Sequence, residues 1–140
     1  MTEDTLTEGD VLHAAATLVA AFRATDVRAY FDCFTEDATF VFHTEPDRLD
    51  TRQSYEELWA KWIAAGWHVT NCVSSNRRVQ LFAATAVFTH DVRTTTSTGG
   101  LTESTRERET IVFHRFGSAV KAVHEHLSPV PEHSPEASAP

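Results

Sequence analysis

The chain is poor in cysteine. It has two, Cys33 and Cys72, in 140 residues. So few, so far apart, make neither a disulfide framework nor a zinc motif. Reduced thiols in a cytosol follow, and a cytoplasmic location is expected. Basic charge is also short. Twelve Lys and Arg stand against 20 Asp and Glu, a net charge of −8. A phosphate backbone wants a basic stripe, so nucleic acid is not an expected partner. No apolar run approaches the ~20 residues of a membrane span, so none is expected. Residues 1–10 are polar and acidic and lack the basic start and apolar run of a signal peptide. There is no internal repeat.

What remains is ordinary globular composition, 41% hydrophobic and 23% charged. The length fits one domain with a sizeable core. Residues 1–7 are expected to be a disordered N-terminus and residues 8–128 the folded domain. The tail 129–140, PVPEHSPEASAP, has almost nothing to bury and is expected to be disordered.

Helical spacing of Val11, Leu12, Ala15, Leu18, Val19 and Phe22 predicts a helix over 8–24, capped by Thr7 or Asp10. Asp26 reads as the cap of a short second helix carrying Tyr30, Phe31 and Phe34, which Thr35-Glu36-Asp37 ends. A strand is expected at Ala38–Thr44. Ser54, with Glu57 as its capping-box partner, should start a third helix over Tyr55–Ala65. Its stripe is Leu58, Trp59, Trp62 and Ile63, and Gly66 follows as C-cap. Strands are expected at 67–76 and 79–93, with a break near Ala83-Ala84, then a loop over 94–100 and a long strand from Leu101 to Arg115.

The most informative stretch is Arg106–Ser128. It reads as two strands joined near Phe116–Ser118, rich in Val, Ile and Phe. Alternation puts Glu109, Ile111 and Phe113 on one face and Arg108, Thr110, Val112 and His114 on the other. In the second strand Val123, Glu125 and Leu127 alternate with Ala122, His124 and His126. Both faces mix apolar and ionisable groups, so one is expected to meet the helices and the other a partner. The order helix, helix, strand, helix, then four antiparallel strands argues an α+β fold. Three helices on the concave face of a bent antiparallel sheet make a cone with an open mouth, which is a pocket.

Several motifs resemble the nuclear transport factor 2-like superfamily, which includes SnoaL-like polyketide cyclases, ketosteroid isomerases and scytalone dehydratase. Glu109-Thr110-Ile111-Val112-Phe113-His114-Arg115, a turn, then Val123-His124-Glu125-His126-Leu127-Ser128 is similar to the domain ending of SnoaL-like proteins. The same ending marks the association domain of calcium/calmodulin-dependent kinase II. The strand start at Asp37–Phe40 also fits. By position, the isomerase's catalytic aspartate falls at Phe42 and its helix-one tyrosine near Leu18. The arginines of the association-domain pocket fall at Val92, Ile111 and Leu127. Hydrocarbon replaces each polar group, which argues against steroid isomerisation of that type and against an arginine-bound carboxylate ligand.

On these correspondences the pocket is lined by Phe42, Phe88, Ile111, Phe113 and Leu127, and roofed by Tyr30, Phe34, Trp59 and Trp62. Three ionisable groups from adjacent strands enter it, His90, Glu109 and Glu125. An imidazole beside carboxylates is a general acid/base set, suited to cyclisation, isomerisation or dehydration of a flat apolar substrate. The expected protein is a SnoaL-like small-molecule enzyme or binder with no organic cofactor. The alternatives are a non-catalytic ligand-binding or dimerisation module, or a histidine-ligated metal protein. His114, His124 and His126 fall on the outer face, where they either pack in a homodimer interface or meet a metal. No recognised zinc-ligand spacing is present, so no metal residue is assigned.

Overall fold

The structure, a computed structural model, describes residues 5–131. The elements run α1 Glu8–Arg23, α2 Val27–Phe31, β1 Phe34–Phe42, α3 Arg52–Ala64, β2 Trp67–Phe82, β3 Thr85–Thr98, β4 Leu101–Phe116 and β5 Ala119–Pro129. The five strands form one unclosed sheet in the order β1-β5-β4-β3-β2. β2 to β5 pair antiparallel, as expected, but β1 joins the far edge parallel to β5. The helices lie across the concave side and leave a cone. Among the described residues no helix is long and apolar enough to cross a membrane.

Local chemistry sets the helix starts. The Thr7 hydroxyl accepts from the Asp10 N–H, and the Asp10 carboxylate accepts from the Thr7 N–H. Two of the four orphan donors at the helix start are thereby satisfied. Asp26 caps α2 through the Ala29 N–H. The cap of α3 is Thr51 rather than Ser54, whose own N–H it receives, so the helix begins three residues earlier than its sequence suggests. Glu57 accordingly meets Gln53 on the helix surface and closes no capping box. Gly66 ends α3 at φ +95°, and a Cβ there would lie 3.2 Å from the Gly99 backbone nitrogen.

Several strand limits differ from expectation. β1 starts at Phe34, because Thr35-Glu36-Asp37 runs extended instead of closing α2. The expected interruption after Asn76 is a bulge inside one continuous β2, with Asn76 at φ +53°. The real turn is Ala83-Ala84, and β3 continues through the threonines to Thr98. Gly99 and Gly100, both at positive φ, then make the two-residue hairpin. In β5, Val112 faces His124 but Phe113 faces Ala122, so Val123 is an extra, bulged residue. Ala122, expected outside, is therefore buried in the core, and Val123 is not among the inward set.

The first residues described also depart from expectation. Leu6, placed by its sequence in a disordered start, is buried, and its N–H donates to the Ala83 carbonyl. Beyond β5 the Val130 N–H bonds the Arg106 carbonyl. The rest of the expected disorder, at 1–4 and 132–140, lies outside the described residues.

The tip of the cone is filled. Phe34, Phe40, Trp59, Phe88, Ile111 and Phe113 are all at most 1% exposed. Tyr30 stacks on Trp59 at 4.7 Å, and Tyr55 packs against Phe40 and Phe42. In α3 the buried stripe is Tyr55 and Trp59, whereas Ile63, expected on it, is exposed.

Candidate functional site

Toward the other end of the same strands the packing opens into a cavity of about 350 Å³. His90, Glu109 and Glu125 stand at the boundary between filled tip and hollow. Beyond them β3 contributes Val92, Thr94 and Thr96, and β4 contributes Glu107, Thr105 and Glu103. Tyr30, Tyr55, Phe42 and Leu127 form the near wall. Phe22, Trp62 and Trp67 form the far one.

The three ionisable groups converge because three paired strands present them in register. His90 lies opposite Glu109, and Glu109 opposite Leu127, next to which Glu125 returns on the same face. His90 Nε2 is 2.7 Å from Glu109 Oε1, and His90 Nδ1 is 2.6 Å from the Ser74 hydroxyl. Glu109 and Glu125 adjoin, and the charge of Glu109 raises the proton affinity of Glu125. The Tyr30 hydroxyl donates to Glu125 Oε1 at 3.3 Å and meets the Tyr55 hydroxyl at 3.0 Å. Ser74, His90 and Glu109 thus form one hydrogen-bonded run, and Glu125, Tyr30 and Tyr55 a second beside it.

Burial decides the protonation along these runs. It pushes His90 down to about 4, against partial support from the Glu125 charge. The ring is then neutral near pH 7, and its contact with Glu109 is a hydrogen bond rather than an ion pair. A carboxylate only accepts, so the proton sits on Nε2 and Nδ1 accepts from Ser74 O–H. Burial also raises both carboxyls, Glu125 well above the usual range and further so through the Glu109 charge beside it. Two adjoining buried carboxyls do not both ionise readily, so the pair holds a proton above the ordinary carboxylate range. Burial likewise holds the Tyr30 and Tyr55 hydroxyls protonated. The arrangement offers one buried base, one carboxylic acid and two phenols.

Of the expected pocket residues, Tyr30, Phe42, Trp62 and Leu127 border the cavity together with His90, Glu109 and Glu125. Phe34, Trp59, Phe88, Ile111 and Phe113 do not; they are sealed in the tip beneath it. Their inward orientation is as expected, but Phe34, Phe88, Ile111 and Phe113 lie too far along their strands to reach the hollow, and Trp59 of α3 is covered by the core rings around it. Tyr55, Ser74, Glu103 and Glu107 went unnoticed in the sequence. Glu103, Thr105 and Glu107 continue the period-two pattern of Glu109 back along β4, and Tyr55 lies four residues before Trp59 on the helix.

The outer-face histidines do not converge. His114 Nδ1 bonds the Thr85 hydroxyl, and His124 Nδ1 bonds the Thr39 hydroxyl, each at 2.8 Å. Among the described residues no three His, Cys, Asp or Glu side chains are grouped to hold a metal ion. Cys72 is buried beside the cavity and its thiol is pushed up to about 11, so it is no activated nucleophile.

A bent, unclosed sheet with helices across its mouth and a blind cavity between them is the α+β cone of the nuclear transport factor 2-like superfamily. Within it, the SnoaL-like domain matches residues 11–132, and the chain belongs to that family. An NTF2-like protein of unknown function in nutrient uptake from Rhodospirillum rubrum superposes with TM-score 0.76 at 21% identity, covering 87% of this chain and 99% of that one. A putative calcium/calmodulin-dependent protein kinase II association domain from Xanthomonas campestris gives 0.75 at 18% identity over 91% of each chain. The β subunit of benzoate 1,2-dioxygenase from Burkholderia mallei gives 0.73 at 13% identity, covering 88% and 90%. No curated protein sequence matches.

Proposed function

We propose that the protein is a cofactor-free acid/base enzyme acting on an apolar small molecule held in the cavity. The observation that carries this reading is the buried carboxyl pair, Glu109 and Glu125, at the floor of an aromatic pocket. Glu109 takes a proton from an acidic carbon of the substrate, and Glu125, with Tyr30 beside it, gives one to the oxygen on which charge develops. In an isomerisation that oxygen is a carbonyl's: Glu109 delivers its proton to a different carbon and the enol O–H returns its own to Glu125. In a dehydration the oxygen is a hydroxyl β to the acidic carbon: it leaves as water with the Glu125 proton, a double bond forms, and proton transfer from Glu109 to Glu125 restores the pair. His90, bonded at both nitrogens, orients Glu109 and stabilises its charge. Ser74 fixes the ring's tautomer.

The test needs no natural substrate. In D2O the native protein should accelerate exchange of the acidic C–H protons of 2-tetralone, followed by NMR. Glu109→Gln should slow the exchange by about 10²–10⁴-fold. His90→Ala should also slow it, with ligand binding retained in both variants. Binding of the ketone with no acceleration by the native protein would favour a non-catalytic ligand-binding domain instead.

We assign self-association to the outer sheet face, around Thr110, Val112, His114, His124 and His126. Its support is that Thr110, Val112, His114 and His124 are half-buried on the sheet face turned away from the three described helices, with His126 exposed beside them. Sedimentation of the native protein beside Val112→Glu tests it, with a dimer expected for the first and a monomer for the second.

A further inference from the structure

We propose that the cavity selects an apolar molecule bearing a positive charge, an amine or quaternary ammonium, and rejects carboxylates and phosphates. The inference rests on the cavity being a ligand site, as above, and on the charge of its whole lining. Five carboxyls line it, Glu45, Glu103 and Glu107 beside the proton-transfer pair Glu109 and Glu125, and among the described residues no Lys or Arg does. This is not the acidic composition of the chain showing through. On β4, residues 103 to 109 read Glu-Ser-Thr-Arg-Glu-Arg-Glu, and the strand sorts them by face. Glu103, Thr105, Glu107 and Glu109 share the cavity side, Glu107 and Glu109 buried and Glu103 and Thr105 exposed at its mouth, while Arg106 and Arg108 are exposed on the other side. Alternation that placed one arginine inside would have neutralised the row.

The buried carboxyls Glu107, Glu109 and Glu125 repel one another when charged, a standing cost that a cation removes. The floor pair meets that cost by holding a proton. Glu107, 8% exposed, meets it only in part. His43 holds its Oε2 at 2.5 Å from the rim, and the Thr105 hydroxyl donates to its Oε1. A carboxylate has about four acceptor sites, so Glu107 retains room for an ammonium donor. The rest of the lining suits the same ligand, because Phe22, Trp62 and Trp67 offer aromatic rings to a cation and apolar area to its hydrocarbon. An anion would meet the glutamates with no Lys or Arg among the described lining residues to pair it.

The experiment compares three probes of nearly one shape, 2-(2-naphthyl)ethylamine, 2-(2-naphthyl)ethanol and 2-naphthylacetate, by calorimetric titration of the full chain. The amine should bind at least about tenfold tighter than the alcohol, and the carboxylate most weakly. Raising NaCl from about 50 to about 500 mM should weaken the amine several-fold and leave the alcohol unchanged. Glu103→Gln with Glu107→Gln should erase most of the amine's advantage and spare the alcohol. Equal binding of amine and alcohol, or tightest binding of the carboxylate, would overturn the charge selection while leaving the cavity a ligand site. No binding of any probe would overturn both readings. The salt series on the native chain decides the matter even where the double variant does not fold.

Discussion

Glu107 and Glu109 are each one residue from an arginine, yet the carboxylates are buried and the guanidiniums are in water. The same strand therefore has an inner face whose chemistry is held by packing and an outer face that solvent holds. The inner one divides again along its length. Toward the tip, Ile111 and Phe113 are sealed by aromatic rings; toward the mouth, Glu109, Glu107 and Glu103 meet a hollow. The lesson is that alternation alone assigns a side, whereas position along the cone assigns core or site.

Substitutions on β4 probe that division. Phe113→Ala at the tip should cost about 3–5 kcal/mol in urea unfolding, as large-to-small changes in a packed core do. Val112→Ala, its neighbour on the outer face, should cost no more than about 1 kcal/mol at low protein concentration. A larger cost that grows with protein concentration would place that face in an interface.

Acid titration of stability sharpens the comparison, because the buried groups pull in opposite directions. His90 titrates at about 4 in the fold and 6.5 in the unfolded chain. Between those values the unfolded state binds more protons, so this group alone raises stability with pH, by on the order of 3 kcal/mol across the window. Glu125 is shifted upward, so above the ordinary carboxylate range the folded state binds more protons and stability falls with pH. Glu125→Gln keeps a polar group for Tyr30 and Glu109 but removes that ionisation. Its melting temperature at pH 7 should exceed the native one, and its stability should climb more steeply from pH 4.5 to 6.5. A melting temperature below the native one at pH 7 would mean that Glu125 is ionised there. Smallest of all, Arg106→Gln and Arg108→Gln should each change stability by less than about 0.5 kcal/mol, since solvent already surrounds both side chains.

The period-two pattern of β3 and β4 was enough to bring His90 and Glu109 to one face, and their pairing follows from register. Glu125 was placed correctly for a local reason. Counting inward from Leu127 gives the right side for Glu125, and the count fails only at Val123 and Ala122, where the ladder takes in an extra residue. A bulge leaves no mark in the apolar pattern, so nothing in Ala-Val-His-Glu-His announces it. The depth of each side chain was not legible either. Phe88 and Phe113 carry the same pattern as His90 and Glu109, and only the crowding of Tyr30, Trp59 and Phe34 over the tip separates them. Tyr55 escaped because its helix starts earlier than the Ser54 reading allows, which had moved the eye to Leu58 and Ile63.

The spare residue in β5 has a meaning for how such a domain changes over generations. Excising Val123 would leave Ala122 opposite Phe113 and His124 opposite Val112, with every later side chain on its present side. What would vanish is the local kink that an unmatched residue imposes on its strand. Descent can thus tune how tightly this sheet curls, and so how wide its mouth gapes, by losing or gaining a single codon while the groups at its floor stay put.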